Sequence, residues 1–290
     1  MYTLEKNDLD FYQVSPMPGN EELQKYYSEK YYQAPVVKTY SLQYTHEELR
    51  FGMIAPEVAD YIFSQDAERV EKTLYDIGCG EGFFMDSMQK LGWTVSGTDF
   101  SEAGIKNQNP HLYSNVTYRS ALEDIQDRIS KNEKFTMVNL GNILEHVTDP
   151  IVILKEVKNL VHKNGFLRIV VPNDSSEFQA LIFDLKLSDN NWFVPPDHLS
   201  YFNFETLPGV LAHTGYETVR KLGDFPIELF LLNENANYYK NKQTGPGAHF
   251  ARVTASNFIR ERGLPAYVKW AEALAEIRLS RSCIFFCKVI

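Results

Sequence analysis

Residues 73–82 read TLYDIGCGEG, a short β-prone run from Thr73 to Ile77 that breaks into three alternate glycines, Gly78, Gly80 and Gly82. Glycines at the end of a strand let the backbone turn tightly and approach a ligand without interference from a Cβ. In open α/β sheets ligands bind beyond the carboxyl ends of the strands, often at this first turn. From Gly82 to Leu91 the apolar positions Phe84, Met88 and Leu91 share one helical stripe, which Gly92 ends. Further strands are predicted at Trp93 to Thr98, Val116 to Tyr118, Phe135 to Leu140 and Phe166 to Val171. Before the last of these, Asp149 and Pro150 suit the N-cap and first position of a helix. Ile151, Leu154, Val157 and Val161 would line its buried face, and Asn164 and Gly165 would close it. Strands alternating with helices of this length predict a doubly wound α/β domain with a parallel sheet.

Outside this stretch the texture differs. Residues 1–72 read as a helical extension or lid, rich in tyrosine (Tyr26, Tyr27, Tyr31, Tyr32, Tyr40, Tyr44), with a helix opened by Pro56 in PEVADYIF. Those rings either cover a ligand or pack a helix onto the sheet, and the sequence does not choose. Beyond Pro172 a helix is expected near Phe204 to Ala212 and strands at Tyr216 to Leu222 and Cys283 to Val289. The two late strands would complete the sheet, with residues 223–281 as a helical insertion that could cap the ligand site. The expected domain therefore runs from 73 to 290.

The 290 residues suffice to bury a sizeable core without staples. Apolar residues at 44% and charged residues at 23% are globular proportions. The 29 Lys and Arg against 38 Asp and Glu give a net charge of -9, which weighs against a grip on nucleic-acid phosphates. Cys79, Cys283 and Cys287 form no metal-like spacing, and a sparse, odd count suits a reducing cytoplasm. No stretch reaches the ~20 apolar residues of a bilayer span, and the start, MYTLEKNDLDFYQ, lacks a signal-peptide layout.

The glycine loop limits the ligand. A dinucleotide fingerprint needs GxGxxG, but Phe83 stands where the third glycine belongs, and Glu81 sets a carboxylate where a pyrophosphate would rest. A phosphate-free cofactor fits better, and a nicotinamide-dependent oxidoreductase is disfavoured. Asp99, 19 residues after Gly80, ends the second strand and suits the diol of a ribose. Glu123 and Asp124 follow the third strand and suit an adenine amino group or a helix cap.

DIGCGEG, VSGTD, NILEHVTDP and NGFLRIVVPN, in this order over residues 73–172, resemble the class I S-adenosylmethionine-dependent methyltransferases. The LEHV-DP variant is similar to the branch holding ubiquinone-biosynthesis O-methyltransferases and sugar methyltransferases. The resemblance implies a seven-stranded Rossmann-like sheet, S-adenosyl-L-methionine as cofactor and a small-molecule acceptor. Carried over by motif position, Asp76, Gly78, Cys79 and Gly80 would meet the methionyl part and Asp99 the ribose. Phe100 would pack on adenine beside Leu122 and Glu123, and Leu140 and Gly141 would contact the cofactor through their backbone. A sulfonium methyl is already electrophilic, so alignment and exclusion of water suffice, and no covalent nucleophile or metal is obligatory.

Glu145 and His146 follow the fourth strand. In the ubiquinone branch this segment resembles ExxEH and can hold a divalent ion. Here Asn142 replaces one carboxylate, which lowers the expected affinity for a hard cation, so the favoured reading has no metal and a loop-orienting pair. His198, in the proline-stiffened PPDHLSYF, is a candidate general base, with Asp197 or another acid orienting it. Phe225 to Leu232 (FPIELFLL) is a core wall, a homodimer contact or a membrane-surface patch, the core wall being favoured. The tail from Asp224 resembles members tied to polysaccharide biosynthesis, so a sugar or nucleotide-sugar hydroxyl is the first acceptor expected. A quinone or phenolic acceptor, with Met53, Trp192 and Phe193 walling its pocket, comes second, and a non-catalytic cofactor-binding protein third.

Overall fold

The computed structural model describes residues 2–19, 22–23, 26, 43–66, 70–189 and 192–290. A seven-stranded sheet organises it, in the order β5-β4-β3-β6-β7-β10-β9. β3 (Thr73–Ile77), β4 (Thr94–Asp99), β5 (Val116–Tyr118), β6 (Phe135–Gly141) and β7 (Val161–Pro172) run parallel. β10 (Ser282–Val289) enters antiparallel between β7 and the edge strand β9 (Tyr216–Gly223). The doubly wound sheet expected from the alternation is thus present, with the seven strands that the resemblance implied and the last two forming its antiparallel end.

Helices cover both faces because alternate strand residues point to opposite sides. Tyr75, Ile77, Val138 and Leu140 face α4 (Ala121–Ser130), α5 (Pro150–Val157) and α7 (Leu207–His213), which bury Ile125, Leu154 and Leu211. Leu74, Met137, Phe166 and Phe286 face α1 (His46–Asp66), α2 (Phe83–Lys90) and α9 (Leu264–Glu276), which bury Ile62, Met88 and Val268. α3 (Ala103–Gln108) follows β4, α6 (Glu177–Asp184) follows β7, and α8 (Gly245–Glu261) precedes α9 between β9 and β10.

Four expectations need correction. The helical extension over 1–72 does not begin as helix: β1 (Thr3–Lys6) and β2 (Tyr12–Ser15) form a hairpin that pairs with β8 (Ser200–Tyr201). Its turn is closed by Asn7 accepting from Asp10 N at 2.9 Å, and it buries Phe11 and Val14 against Phe202, Leu199 and Tyr201. The helix placed at Pro56 starts ten residues earlier. Thr45 and Glu48 cap it reciprocally, the Thr45 hydroxyl accepting from Glu48 N while Oε2 of Glu48 accepts from Thr45 N at 2.9 Å. A capped start and a face of Ile54, Val58 and Ile62 outweigh the hydrogen bond that Pro56 forgoes. The helix after Asp149 stops at Val157, and Val161 already pairs with Phe135. Asn164 and Gly165 mark a register shift within β7, where a Cβ on Gly165 would sit 2.8 Å from the Thr136 carbonyl oxygen. α7 begins at Leu207, not Phe204. Tyr27, Tyr31, Tyr32 and Tyr40, offered as lid residues, lie outside the described residues.

The glycines give a paired stability prediction. Gly165→Ala, which pushes a methyl into backbone carbonyls, should destabilise the fold by roughly 1–3 kcal/mol. Gly209→Ala, in α7 with open space around the added Cβ, should stabilise it by roughly 0.5–1 kcal/mol. Urea unfolding midpoints at constant m-value read both.

Candidate functional site

At the tip of β3 the chain turns through Gly78, Gly80 and Gly82, all left-handed, with φ of 70°, 56° and 78°. The turn is pinned from β4: Gly78 N and Cys79 N both donate to the Thr98 carbonyl, at 2.7 and 3.1 Å. A Cβ on Gly78 would lie 2.0 Å from Ile143 Cδ1, so a side chain there would have to displace Ile143 as well as accept a left-handed φ. One residue beyond Thr98, Asp99 accepts from Gly80 N at 2.8 Å through Oδ2 and from Ser101 N at 2.9 Å through Oδ1. Each oxygen keeps lone-pair capacity, so the carboxylate is aimed and still able to accept from a diol. Burial raises its pKa, opposed by the Ser101 and Gly80 amides. Phe100 follows with an exposed ring.

Behind the loop, Asp76, Asn139 and Arg168 lie side by side on β3, β6 and β7, in register. Asn139 Nδ2 donates to Asp76 at 2.6 Å, and Arg168 Nη1 donates to Asn139 Oδ1 at 2.6 Å. All three are buried. Burial pushes Asp76 up to about 7 against the Asn139 hydrogen bond and the Arg168 charge, and burial pulls Arg168 down to about 10. The Arg168 guanidinium also lies 4.9 Å over the Phe84 ring, while its Nε has no partner.

This row lines a cavity of about 490 Å³ that reaches from Asp76, Gly78 and Cys79, past Gly141 and Asn142, to Asp224, Arg252, Ser256 and Tyr267. Its apolar walls include Phe51, Ile54, Phe84, Phe225 and Phe286. Met53, Trp192 and Phe193 do not form the wall expected of them: Met53 is exposed, and Trp192 and Phe193 pack on Tyr201. FPIELFLL divides, with Phe225 on the cavity, Leu231 buried, and Leu229 and Leu232 exposed.

The third acid group is differently engaged. Glu123 closes a capping box with Ser120 at the start of α4. Asp124 is fully buried and takes hydrogen bonds from the Tyr75 hydroxyl, Arg119 and Arg128. It ties β3 to α4 and faces no ligand. Leu122 is half-buried against the core, and Leu140 is buried where β6 adjoins Ile77. Tyr44 reaches the glycine loop, its hydroxyl donating to Glu81 Oε2 at 2.7 Å and its ring meeting Phe83 edge-on at 5.1 Å.

Glu145, His146 and His198 converge, although none of them lines the cavity. The Glu145 carbonyl accepts from Leu199 N at 2.6 Å, which stitches NILEH to PPDHLSY. His146 Nδ1 stands 2.6 Å from the Asp197 carbonyl, and the two imidazoles meet edge-on at 4.9 Å. The acid facing His198 is Asp174, not Asp197: Nδ1 lies 3.6 Å from Asp174 Oδ2, and neither atom has a closer partner. Burial lifts Glu145 to about 8 and favours its neutral form at pH 7. One ligand atom from each of the three residues falls within 4.8 Å of the others, a two-nitrogen, one-oxygen set better suited to zinc than to magnesium.

Sequence reasoning missed Asn139, Arg168, Asp174 and Arg252. Only Arg168 carried a signal, as the lone charge in the apolar run FLRIVV, since a buried charge is rarely without a polar partner.

A family model described as "Methyltransferase domain" matches residues 47–221. The chain is 27% identical over 199 residues to a ubiquinone biosynthesis O-methyltransferase of Pasteurella multocida, covering 61% of this chain and 81% of that one. It is 34% identical over 117 residues to the protein of that name in Glaesserella parasuis, a match that spans 38% of this chain and half the length of the relative. A SAM-dependent methyltransferase from Archaeoglobus fulgidus superposes with a TM-score of 0.50 at 19% identity, covering 83% of this chain and 96% of that one, so the likeness is one of fold. No helix among the described residues is long and apolar enough to cross a membrane.

Asp76 makes stability depend on pH. The folded chain holds its proton up to about pH 7, whereas the unfolded carboxyl releases it near its ordinary value of 3.8. This contribution is therefore fully present below pH 3.8 and is lost as the pH rises to about 7, by up to about 1.4 kcal/mol per unit. Asp76→Asn should flatten that fall between pH 5 and 7, read by urea unfolding at each pH.

Proposed function

Because the chain belongs to the methyltransferase-domain family, we propose that it moves the methyl group of S-adenosylmethionine to a hydroxyl of a small acceptor. The observation that carries this reading is Asp99, fixed by Gly80 N and Ser101 N beside a turn that is left-handed at all three of its glycines. A carboxylate so aimed holds a ribose diol, and the turn leaves space for the phosphate-free, sulfonium-linked chain of the cofactor rather than a pyrophosphate. Asp76 and Gly78 take the amino-acid end, with Phe100 and Leu122 at the adenine end and Leu140 and Gly141 along the backbone between, while Glu123 stays in the cap it closes with Ser120. When bound, the cofactor supplies an activated methyl, and the chain's task is alignment and the exclusion of water.

The acceptor we favour is a phenol. The aromatic walls Phe51, Phe84, Phe225 and Phe286 suit a ring, and the relatives are named for ubiquinone biosynthesis. The sugar hydroxyl expected from the tail is the competing acceptor. His198, backed by Asp174, is the base we assign, receiving the acceptor's proton through an intervening water because the imidazole does not line the cavity.

Transfer of labelled methyl from S-adenosylmethionine to a panel of catechols, hydroxybenzoates and nucleotide sugars tests the reading, and label in none of them would overturn it. Asp99→Ala should weaken S-adenosylhomocysteine binding by roughly 10- to 100-fold, the value of one or two charge-assisted hydrogen bonds. His198→Ala should lower turnover by roughly 10²- to 10⁴-fold with that binding near wild type. Unchanged turnover would remove His198 from the role.

A further inference from the structure

Seven of the described arginines pair with a carboxylate, and Arg262 is exposed over the Phe258 ring. Two others, Arg168 and Arg252, have no carboxylate partner among the described residues, and both line the one cavity of about 490 Å³. Each has its Nε buried and without a hydrogen bond. A guanidinium cannot shed its charge; Arg168 reaches Asp76 only through Asn139, and Arg252 feels Asp224 only through space, so neither has the close ion pair that a desolvated guanidinium calls for and that a ligand anion would supply.

The two sit at different ends. Arg168 belongs to the row beside Asp76 and the glycine loop, where the cofactor's amino-acid end lies. Arg252 projects from α8, in the insertion between the last two strands. Its Nη2 is held 3.3 Å from His249 Nδ1, whose Nε2 stands 2.9 Å from Glu48, and its plane lies 5.0 Å over the Phe51 ring. The fork is thus aimed while Nε stays unused. Four residues on, on the same helix face, Ser256 Oγ is also buried without a partner. Asp224, the nearby acid, lends Arg252 its field without forming a close ion pair with it, and its two oxygens are turned to Ser282 N at 2.7 Å and Ser282 Oγ at 3.1 Å.

We propose that Arg252 and Ser256 bind a carboxylate on the methyl acceptor, making the substrate a hydroxy acid. This presupposes the methyltransferase reading, in which the cofactor brings a single carboxylate and can satisfy only one of the two guanidiniums. A monoanion fits better than phosphate: the two guanidiniums lining the cavity, Arg168 and Arg252, are matched there by the two carboxyls Asp76 and Asp224, and a cofactor ammonium beside Asp76 would hold that carboxyl ionised.

Calorimetric titration of the full chain tests this, first with S-adenosylhomocysteine and then, on the loaded protein, with 4-hydroxybenzoate, glucuronate, their neutral counterparts 4-hydroxybenzamide and glucose, and inorganic phosphate. One of the two acids should bind at least about 10-fold tighter than its neutral counterpart. Arg252→Gln should erase that preference and leave S-adenosylhomocysteine affinity unchanged. Arg252→Lys, which keeps the charge and loses the fork, should retain part of it and exclude misfolding as the cause. Equal binding of acid and neutral form, no binding of either acid, a preference that survives in Arg252→Gln, or phosphate binding tighter than both acids would each overturn the carboxylate site. Failure of S-adenosylhomocysteine to bind the wild-type chain would overturn the methyltransferase reading itself, and the site with it.

Discussion

A carboxyl and a guanidinium are buried three strands into the sheet, and the chain cannot bury them except together. Asp76 and Arg168 do not touch; Asn139 stands between them, donating to the acid and accepting from the base. An amide is the side chain that can do both at once. The arrangement works only when β3, β6 and β7 keep a register that aligns the three positions. A one-residue slip would send each to the opposite face and leave charges uncompensated in the core. The same register fixes the ends of these strands, and with them Gly78 at the end of β3 and Gly141 at the end of β6. The site's geometry is therefore a consequence of how the sheet settles its own buried polar groups.

Loops beyond those strand ends are held by backbone rather than by side-chain chemistry. Thr98 O holds the glycine turn, and Glu145 O holds the segment carrying His198. The backbone bonds leave the side chains of Glu145 and His198 available for other tasks, whereas Asp99 also binds the turn through its own carboxylate. The N-terminal hairpin contributes here as well, since β2 pairs with β8 two residues after His198. A segment remote in sequence thereby braces the loop of the candidate base.

The parallel strands, the glycine turn and Asp99 were legible because local signals and tertiary need coincide there: apolar runs, glycines at a tight turn, an acid at a strand end. Three kinds of feature were not. The hairpin at 3–15 is short and mostly polar, and only burial of Phe11 and Val14 against a distant loop makes it a strand pair. Asn164 and Gly165 carry the usual marks of a helix end, yet the same residues serve a bulge, and only the register with Phe135 and Met137 decides. The THEE start of α1 was readable as a capping box but was overshadowed by Pro56, a reminder that a capped first turn and a buried face can outweigh one missing amide. Asp174 and Asn139 matter through partners 24 to 107 residues away, and Arg252 lies over Phe51, 201 residues away, relations that no local pattern encodes.

Methyl transfer asks less of a protein than most group transfers, because the donor is already activated and the chief requirement is alignment. The demands on the sheet are thus confined to holding the donor, the task proposed for the strand ends from β3 to β6. Discrimination between acceptors must come from elsewhere, and here the wall opposite the strand ends is drawn from residues 224–281, between two antiparallel strands at the other end of the sheet. α8 and α9 supply Arg252, Ser256 and Tyr267 without contributing to the glycine turn or to Asp99. Substitutions in that segment can change what enters the cavity while the donor end, built on different strands, stays as it is. Relatives with the same core can then differ in acceptor, which is why family membership fixes the donor chemistry of this chain and leaves its substrate to the side chains of the insertion.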